Sequence, residues 1–515
     1  MSPGRKRCAK RPMALLIGCL AVAIGLTAKI ALAADTPKKA ASKKSHDEPD
    51  RAYDIDPVEA SLNQHYQQPF RPQFHYTAIQ GHIGDATGLI YDQGEYHLFC
   101  MFDKWERRRN RHKCWGHTVS RDCLHWEELP PVLDTLIDHK PGSGSGVVDW
   151  NNSLGLRTGP HKTLVIFYTD YQTGSCIAYS NDAGRTWVRH PRNPVIAGTA
   201  DARDPTVFWY APAAEWRMVR YEKQGFAFYG SASLLDWTPF SRIEGFYECP
   251  DLIELPVEGS SGQRKWVLMA ADGSYALGSF DGHEFKPEAT GLRVERSKSI
   301  YASQTWKKTP DGNSSAIQMG FLRYPSEPRL TWHNQMSIPC ELKLREFPEG
   351  VRLCRLPIDE INNLRVAQQV WRDLTVGPGQ NPLSAIQGDL FDIRAEIELA
   401  GAADFAVTAR GQTVSYSVKG EEFTLGHTKA PLKPAAKRVR FQMLVDRSSI
   451  ELFADQGQAT ISQVVFPDPN DRGLSLTSEG GDIRVISLQV NRLESIWLEV
   501  ESRLGRPRTS AMSDK

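Results

Sequence analysis

Three carboxylic acids in this sequence are candidates for acid–base catalysis. Each lies in a short motif beside a segment rich in aromatic and β-branched residues. Asp85 lies in a Gly-Asp-Ala-Thr-Gly sequence, Asp204 in Ala-Arg-Asp-Pro, and Glu248 in Phe-Tyr-Glu-Cys-Pro-Asp-Leu. Two carboxyl groups that face each other are the minimum for cleaving a glycosidic bond, since one attacks or activates water and the other protonates the leaving oxygen. The three motifs therefore indicate acid–base chemistry on a sugar.

The elements around these acids are predicted to be short β-strands that recur along the chain. Four of them lead into a Ser-containing turn that ends in an aromatic residue, at Trp126, Trp187, Trp237 and Phe285, with intervals of 61, 50 and 48 residues. A β-rich unit that recurs at about this interval is typical of β-propeller blades. Because the innermost strands of a propeller converge on its axis, acids that are distant in sequence can meet there.

In order and context, the three acidic motifs resemble those of glycoside hydrolase family 32, which contains invertases, inulinases and levanases. Further segments match the family and extend the resemblance from about residue 71 to residue 493: 94–99, 115–120, 143–145, 178–182, 301–306 and 446–451. The resemblance implies an all-β fold, with a five-bladed β-propeller followed by a C-terminal β-sandwich.

The resemblance also implies roles for individual residues. Asp85 is expected to be the nucleophile, Glu248 the acid/base, and Asp204 the residue that stabilises the transition state, in a retaining reaction with a covalent fructosyl-enzyme. Substrate-binding side chains are expected at five further positions: Arg203, Trp115, Ser143, His82 and Trp306. Arg203 is also expected to pair with a carboxylate.

The sequence around Asp85 departs from the family pattern. The Asn that usually precedes the nucleophile is Gly84, the usual aromatic residue is His82, and Met101 stands where Gln is typical. Since glycines lie on both sides of Asp85, at 84 and 88, the sequence predicts that Asp85 lies on a turn. An Asp in such a sequence also commonly bonds its own backbone. The changes around it fit an altered or enlarged sugar subsite, weak activity or a substrate other than sucrose.

The leading interpretation is a β-fructosidase that acts on levan- or inulin-type fructans or on sucrose-like β-fructofuranosides. A fructosyltransferase and a non-catalytic carbohydrate-binding propeller are the alternatives. An arabinan- or xylan-directed glycosidase is disfavoured by the Glu-Cys-Pro-Asp-Leu sequence at Glu248. The choice between levan, inulin and sucrose, between exo and endo action, and the oligomeric state stay open at this stage.

Charge and histidine spacing limit the other partners. The 515-residue chain has a formal net charge of +1, which argues against a nucleic-acid partner and leaves a fructan or fructofuranoside as the expected one. His117 lacks the neighbouring ligands of a metal site, so neither a metal nor another cofactor is predicted. The basic run at 107–113 is predicted to be a solvated loop.

The N-terminal region predicts export. Residues 1–33 combine a basic start, an apolar stretch at 13–26 and an Ala-Leu-Ala sequence, as a secretory signal peptide does. Lipid attachment at Cys19 is less favoured, because the apolar stretch continues past it. We therefore expect a secreted or periplasmic protein without stable membrane insertion, in which residues 34–60 form a disordered linker.

The remaining chain divides by pattern into a catalytic propeller at 61–356, a connector at 357–378, a β-sandwich at 379–495 and a flexible tail at 496–515. Alternating apolar residues at 439–445, followed by a turn at 446–448, predict a hairpin with one buried face. Seven cysteines follow the predicted signal peptide, and bridges between Cys100 and Cys114 or between Cys114 and Cys123 are possible.

Overall fold

The computed structural model describes residues 66–103, 113–134, 141–198, 201–307, 316–325, 330–399, 403–434 and 436–497. The predicted signal peptide with Cys19, the linker, nearly all of the basic run and nearly all of the tail lie outside the described residues. All described residues belong to one compact unit. No helix among them has the length and apolar character needed to cross a membrane.

The structure is built almost entirely from β-strands, which confirms the all-β prediction for the described residues. Two short 3-10 helices occur among the described residues, at Ala211–Ala213 and Asp359–Leu364. The N-terminal strands are β1 Gly81–Asp92, β2 Glu95–Asp103, β3 Cys114–Ser120, β4 Trp126–Val132, β5 Pro141–Asp149, β6 Thr163–Asp170, β7 Gly174–Ser180, β8 Val188–Arg189, β9 Ile196–Ala197, β10 Arg203–Tyr210, β11 Glu215–Glu222, β12 Gly225–Ser231, β13 Thr238–Glu244, β14 Asp251–Glu258, β15 Arg264–Met269, β16 Ser274–Phe280, β17 Phe285–Arg293, β18 Ile300–Trp306, β19 Ala316–Leu322, β20 Trp332–His333, β21 Gln335–Met336, β22 Cys340–Phe347 and β23 Gly350–Pro357.

These strands form consecutive antiparallel runs. The sheet orders are β20-β1-β2-β3-β4, then β5-β6-β7-β8 with β9 beside β7, then β10-β11-β12-β13, and a nine-stranded sheet β17-β16-β15-β14-β22-β19-β18 in which β21 pairs with β19 and β23 with β22. The nine-stranded sheet joins two runs through a short parallel contact between β14 and β22. The aromatics of the sequence repeat mark one position in the runs: Trp126 and Phe285 begin β4 and β17, while Trp187 and Trp237 directly precede β8 and β13.

The C-terminal strands form two sheets that face a shared apolar core. They are β24 Arg365–Val376, β25 Phe391–Glu398, β26 Asp404–Ala409, β27 Gln412–Ser417, β28 Glu422–Leu425, β29 Thr428–Pro431, β30 Arg438–Val445, β31 Ser449–Ala454, β32 Ala459–Val464, β33 Leu474–Glu479 and β34 Ile483–Leu493. The orders are β24-β34-β25-β30-β31-β32 and β29-β28-β27-β26-β33. One buried cluster contains side chains of both sheets, as in a β-sandwich. The predicted hairpin is β30–β31, in which Val445 pairs with Ile450.

Three boundary and cysteine predictions need correction. The connector is shorter than 357–378, because β24 already pairs along its whole length with β34. Its mostly exposed side chains give no apolar alternation, and this concealed the strand. The tail does not begin at 496, since Ile496 and Trp497 are buried and Trp497 stacks on Tyr66 with ring centroids 4.0 Å apart. All seven described cysteines are free thiols, so neither possible bridge forms.

A buried ionic cluster joins the start of the described chain to the sandwich. The His75 ring lies 2.7 Å from Asp446 Oδ2 and 3.0 Å from Glu451 Oε2, and all three side chains are buried. Burial opposes charge on His75, but the hydrogen bonds to the two acids outweigh it and raise the His75 pKa to about 9. The 446–451 segment of the sequence analysis therefore holds the sandwich against the N-terminal strands.

Candidate active site

Four strands have a local irregularity near their first residues, and a fifth strand has one just before it. These irregularities bring the residues of the site together. Register shifts in strand pairing occur in β1 between Ile83 and Ala86, in β5 between Gly142 and Gly144, in β10 between Arg203 and Thr206, and in β18 between Tyr301 and Gln304. In the fifth case Glu248 and Cys249, just before β14, have φ angles of 53° and 41°. A bulge interrupts regular pairing and re-aims a side chain, which strict alternation along a strand does not allow.

Asp85 lies inside strand β1, so the prediction of a turn at this residue is wrong. The extra residues of the bulge, rather than a chain reversal, supply the irregular backbone. Ser143 Oγ donates a hydrogen bond of 2.5 Å to Asp85 Oδ2. Burial raises the Asp85 pKa, with a further contribution from the charge of Glu248, whereas the hydrogen bond from Ser143 opposes the rise.

Asp204 is the most enclosed of the three acids. Its side chain is buried, and its backbone has a φ of 57°, which an ordinary residue rarely adopts. The Asp204 N–H donates to Thr169 Oγ1 at 2.8 Å, and the Cys249 N–H donates to Asp204 Oδ2 at 3.1 Å. Burial and the nearby charge of Asp85 raise the Asp204 pKa to about 7. A strained backbone of this kind persists only where the surrounding structure holds it in place, and it is common at functional sites.

Both oxygens of Glu248 are held by neighbouring side chains. Arg203 donates from Nε and Nη2 to Glu248 Oε1, at 3.1 and 2.9 Å, and the Tyr301 hydroxyl donates to Oε2 at 2.5 Å. The Arg203 guanidinium lies over the Tyr221 ring, with its central carbon 4.2 Å from the ring centre, within the range of a cation–π contact. The pairing of Arg203 with a carboxylate, expected from the sequence, is confirmed.

Cys249 links the positions of the three acids. Its sulfur lies 3.9 Å from Asp85 Oδ2 and 3.6 Å from Asp204 Oδ2, and its chain neighbour is Glu248. Burial raises the Cys249 pKa well above its ordinary value, so the thiol stays protonated and packs against the carboxylates. Residues from β1, β10 and the segment before β14 thus lie in contact with one another, and they form the cluster called the acid pocket.

His82 lies three residues before Asp85, but its side chain contacts other residues than the three acids do. Its ring stacks on His333 with centroids 5.0 Å apart, and Asn334 Nδ2 lies 3.2 Å from His82 Nε2. Burial, with a further contribution from His333, lowers the His82 pKa to about 4, so this ring is neutral at ordinary pH. His82 is half-buried at the start of β1, three residues before Asp85 in the chain.

The predicted substrate contacts of Trp115 and Trp306 are corrected. Both indoles are fully buried, and their N–H groups donate to the carbonyls of Gly142 and His97, at 3.1 and 3.0 Å. A buried ring that is already hydrogen-bonded offers no face to a sugar. Trp115 instead supports the strand that carries Ser143.

Tyr301 is a site residue that the sequence analysis quoted within a matching segment but did not select. Its signal was the segment at 301–306, in which the more conspicuous Trp306 was chosen. The structure shows that the first residue of that segment faces Glu248 while the last is buried behind it. The register shift between Tyr301 and Gln304 lies between the two residues, so the alternation of a regular strand does not relate their side chains.

The histidines do not form a metal centre in the part of the chain that the structure describes. No group of three or more His, Cys, Asp and Glu side chains lies there with the proximity of metal ligands. His117 stacks on Phe99 with centroids 4.0 Å apart, and its Nε2 lies 3.1 Å from His97 Nδ1. Its role among these residues is packing.

The structure brings two partly exposed acids and one buried acid together in an all-β protein. These are the groups that a glycosidase needs. Comparison with known proteins agrees. The signature of the "Glycosyl hydrolases family 32 N-terminal domain" matches residues 75–357, and that of the "Glycosyl hydrolases family 32 C terminal" matches residues 360–492. The chain belongs to glycosyl hydrolase family 32, and it is a glycosidase that acts on fructosides.

Individual relatives support the same family. The chain is 35% identical to a levanase of Bacillus subtilis (strain 168), over 85% of this chain and 73% of the relative. It is 34% identical to a levanase of Bacillus sp. (strain L7), again over 85% of this chain but spanning only 54% of that protein. The crystal structure of an exo-inulinase from Aspergillus awamori superposes with a TM-score of 0.76 at 25% identity, covering 84% of this chain and all of that one.

Proposed function

We propose that the protein is a secreted, retaining glycoside hydrolase that releases fructose from levan- or inulin-type β-fructans, or from sucrose-like β-fructofuranosides. The observation that carries the proposal is the convergence of Asp85, Asp204 and Glu248 through Cys249, Arg203 and Ser143. Relatives named levanase and exo-inulinase support fructans as the substrate class. Export is supported by the signal-like sequence of residues 1–33.

In the first step, the Asp85 carboxylate attacks the anomeric carbon of the fructosyl unit, and the bond from that carbon to the leaving oxygen breaks. Glu248 gives its proton to that oxygen, so the leaving alcohol departs neutral. Ser143 donates to Asp85 Oδ2 and favours the ionised form that attacks. Arg203 and Tyr301 fix the two oxygens of Glu248, so its carboxyl plane stays in one orientation throughout.

In the second step, Glu248 removes a proton from water, and the water oxygen attacks the same carbon and displaces Asp85. Two displacements at one carbon restore its original configuration. Asp204, held by the Cys249 N–H, binds the fructosyl hydroxyls and stabilises the positive charge that develops on the ring.

The proposal includes five propeller blades. The antiparallel runs that begin with β1, β5, β10, β14 and β18 are the five units, and these five strands are the innermost ones. Their irregular first residues all contribute to the acid pocket, as the strands around a common axis would. The last blade is the one that β19, β22 and β23 complete.

The test is fructose release from levan, inulin and sucrose, with Glu248→Gln as the matched control. We expect release from at least one substrate, loss of release in Glu248→Gln, and a β-anomer of fructose as the first product seen by proton NMR. Oligosaccharide products longer than the substrate would favour the fructosyltransferase alternative. Binding without any product, in a folded protein, would favour the carbohydrate-binding alternative and overturn the proposal.

A further inference from the structure

A second concave site lies farther along the same five strands. A cavity of about 500 Å³ is lined by the last residues of β1 and β10, by residues 145–148 of β5, 252–255 of β14 and 304–305 of β18, and none of the three acids lines it. A volume of this size is within the usual range for a ligand pocket. Leu89, the first lining residue of β1, lies four residues beyond Asp85, on the order of 13 Å at the usual rise of a strand.

Hydrogen bonds midway along the strands separate this cavity from the acid pocket. The Gly144 carbonyl accepts from Thr87 Oγ1 at 2.7 Å and from Gln304 Nε2 at 2.8 Å, so β5 is tied to both β1 and β18. Thr87 and Gln304 are buried. Thr87 and Gly144 therefore lie between the acids and the cavity along β1 and β5, and none of the three acids lines the cavity.

The charged side chains of the cavity are paired with one another or with a neighbour. Lys162 lies 3.4 Å from Asp92, and Arg264 lies 2.9 Å from Glu254. Lys307 also lines the cavity and lies 2.6 Å from Asp251, which is not a lining residue. The three cations and three anions cancel, so the site lacks the net charge that would attract an ionic ligand. Paired carboxylates and cations still offer acceptors and donors to a hydroxyl-bearing molecule.

Aromatic rings supply the other half of the site. Trp150, the residue after β5, is 48% exposed at its mouth, which is unusual for an indole in a folded protein. It packs edge to face on Trp209 with ring centroids 5.3 Å apart, so its position is fixed by a second lining ring. An exposed aromatic face beside hydroxyl-binding polar groups is the surface that a sugar ring, with its apolar face and polar rim, fits.

We propose that this cavity is a second, non-catalytic binding site for a neutral saccharide chain, and that the chain is another segment of the fructan polymer. The identity of the chain rests on the proposed function. The site anchors the polymer farther along the five strands from the acids, so it acts on affinity for long chains and leaves turnover of a small substrate unchanged.

The first test compares Trp150→Ala with Trp150→Phe, which keeps an aromatic face, and with Val370→Ala, an exposed apolar control on the sandwich. Trp150→Ala is expected to raise the KM for levan about tenfold, the loss typical of removing one anchoring aromatic residue. Its kcat on levan and its hydrolysis of sucrose should stay at the parent values. Trp150→Phe and Val370→Ala should resemble the parent.

The second test measures retardation of the same variants in native gels containing levan, in the Glu248→Gln background so that the polymer stays intact. Retardation that weakens with Trp150→Ala supports the site even if the parent cleaves no fructan, in which case the proposed function alone fails. A parent that cleaves levan while folded Trp150→Ala keeps both its KM and its retardation overturns the site alone. If Trp150→Ala does not fold, Arg264→Ala on the cavity's rim replaces it under the same criteria.

Discussion

Arg203 donates two hydrogen bonds to one oxygen of Glu248, from Nε at 3.1 Å and from Nη2 at 2.9 Å. The same guanidinium lies against the Tyr221 ring and donates to Asp201. Its orientation is therefore set on three sides. A planar, multiply donating group can hold a carboxylate in one plane in a way that a single point charge cannot.

Arg203→Lys is expected to lower kcat on the chosen fructoside by about 30-fold, because the shorter ammonium loses both the second donor and the aromatic contact. Steady-state kinetics measures the effect. The matched control is Arg185→Lys, which changes an ion pair with Glu95 on the surface and should retain parent kinetics. Equal kinetics for the parent and Arg203→Lys would contradict the proposal that the guanidinium positions Glu248.

Tyr301→Phe deletes the only atom of that side chain that bonds Glu248, while the ring keeps its place against Phe321. Losing a hydrogen bond to a charged or reacting group is expected to lower kcat/KM about tenfold. The melting temperature should change little, since the ring packing remains. A large fall in melting temperature with unchanged kcat/KM would mean that the hydroxyl is structural.

Ser143→Ala tests the pH dependence of the proposed nucleophile. The Ser143 hydrogen bond favours ionised Asp85, so its removal raises the Asp85 pKa further. The acid limb of the kcat/KM profile should then move to higher pH, and the loss of activity should be larger at pH 5 than at pH 7. Ser260→Ala, which removes a hydroxyl from a distant turn, serves as the control. An acid limb that stays in place contradicts the assignment.

His75→Gln tests the ionic cluster that holds the sandwich. Because the folded-state His75 pKa is raised to about 9, the protonated ring stabilises the fold fully below the unfolded pKa near 6.5. That contribution is lost as the pH rises through 9. Removing one partner of a buried ion pair costs roughly 3 kcal/mol, so the variant should be much less stable at pH 6.

The difference in unfolding free energy between the parent and His75→Gln should therefore shrink between pH 7 and pH 10, as measured by urea unfolding. Exposed His427 provides the control, and His427→Gln should match the parent at every pH. A difference that is constant across this pH range would show that His75 is not charged in the folded protein.

Gly144→Ala tests the close approach of the strands near the pocket. A Cβ at this position would lie 1.8 Å from the Phe167 carbonyl oxygen, which belongs to the backbone and cannot rotate away. We expect a loss of about 3 kcal/mol or more in stability, with poor soluble yield. At Gly155, no atom lies near the corresponding position and φ is +67°, so Gly155→Asn should fold normally. A stable Gly144→Ala protein would mean that β5 and β6 lie farther apart.

The sequence determined the all-β class, the family and the β30–β31 hairpin, and it supplied the three acids as candidates, because each depends on short motifs or on a period of two along a strand. Val439, Phe441 and Met443 are buried where that alternation places them. The turns of the repeat could also be predicted from the sequence, since each is defined by the few residues that precede its aromatic residue.

Only the tertiary structure decided how the acids are aimed. Asp85 reaches the pocket through a register shift in β1, and Asp204 through another in β10, and no local pattern encodes either shift. Pairing partners that are remote in sequence also decided that Trp115 and Trp306 are buried and that residues 365–376 form β24. Burial and strand register depend on contacts between distant segments, whereas residue type and spacing are properties of the chain itself.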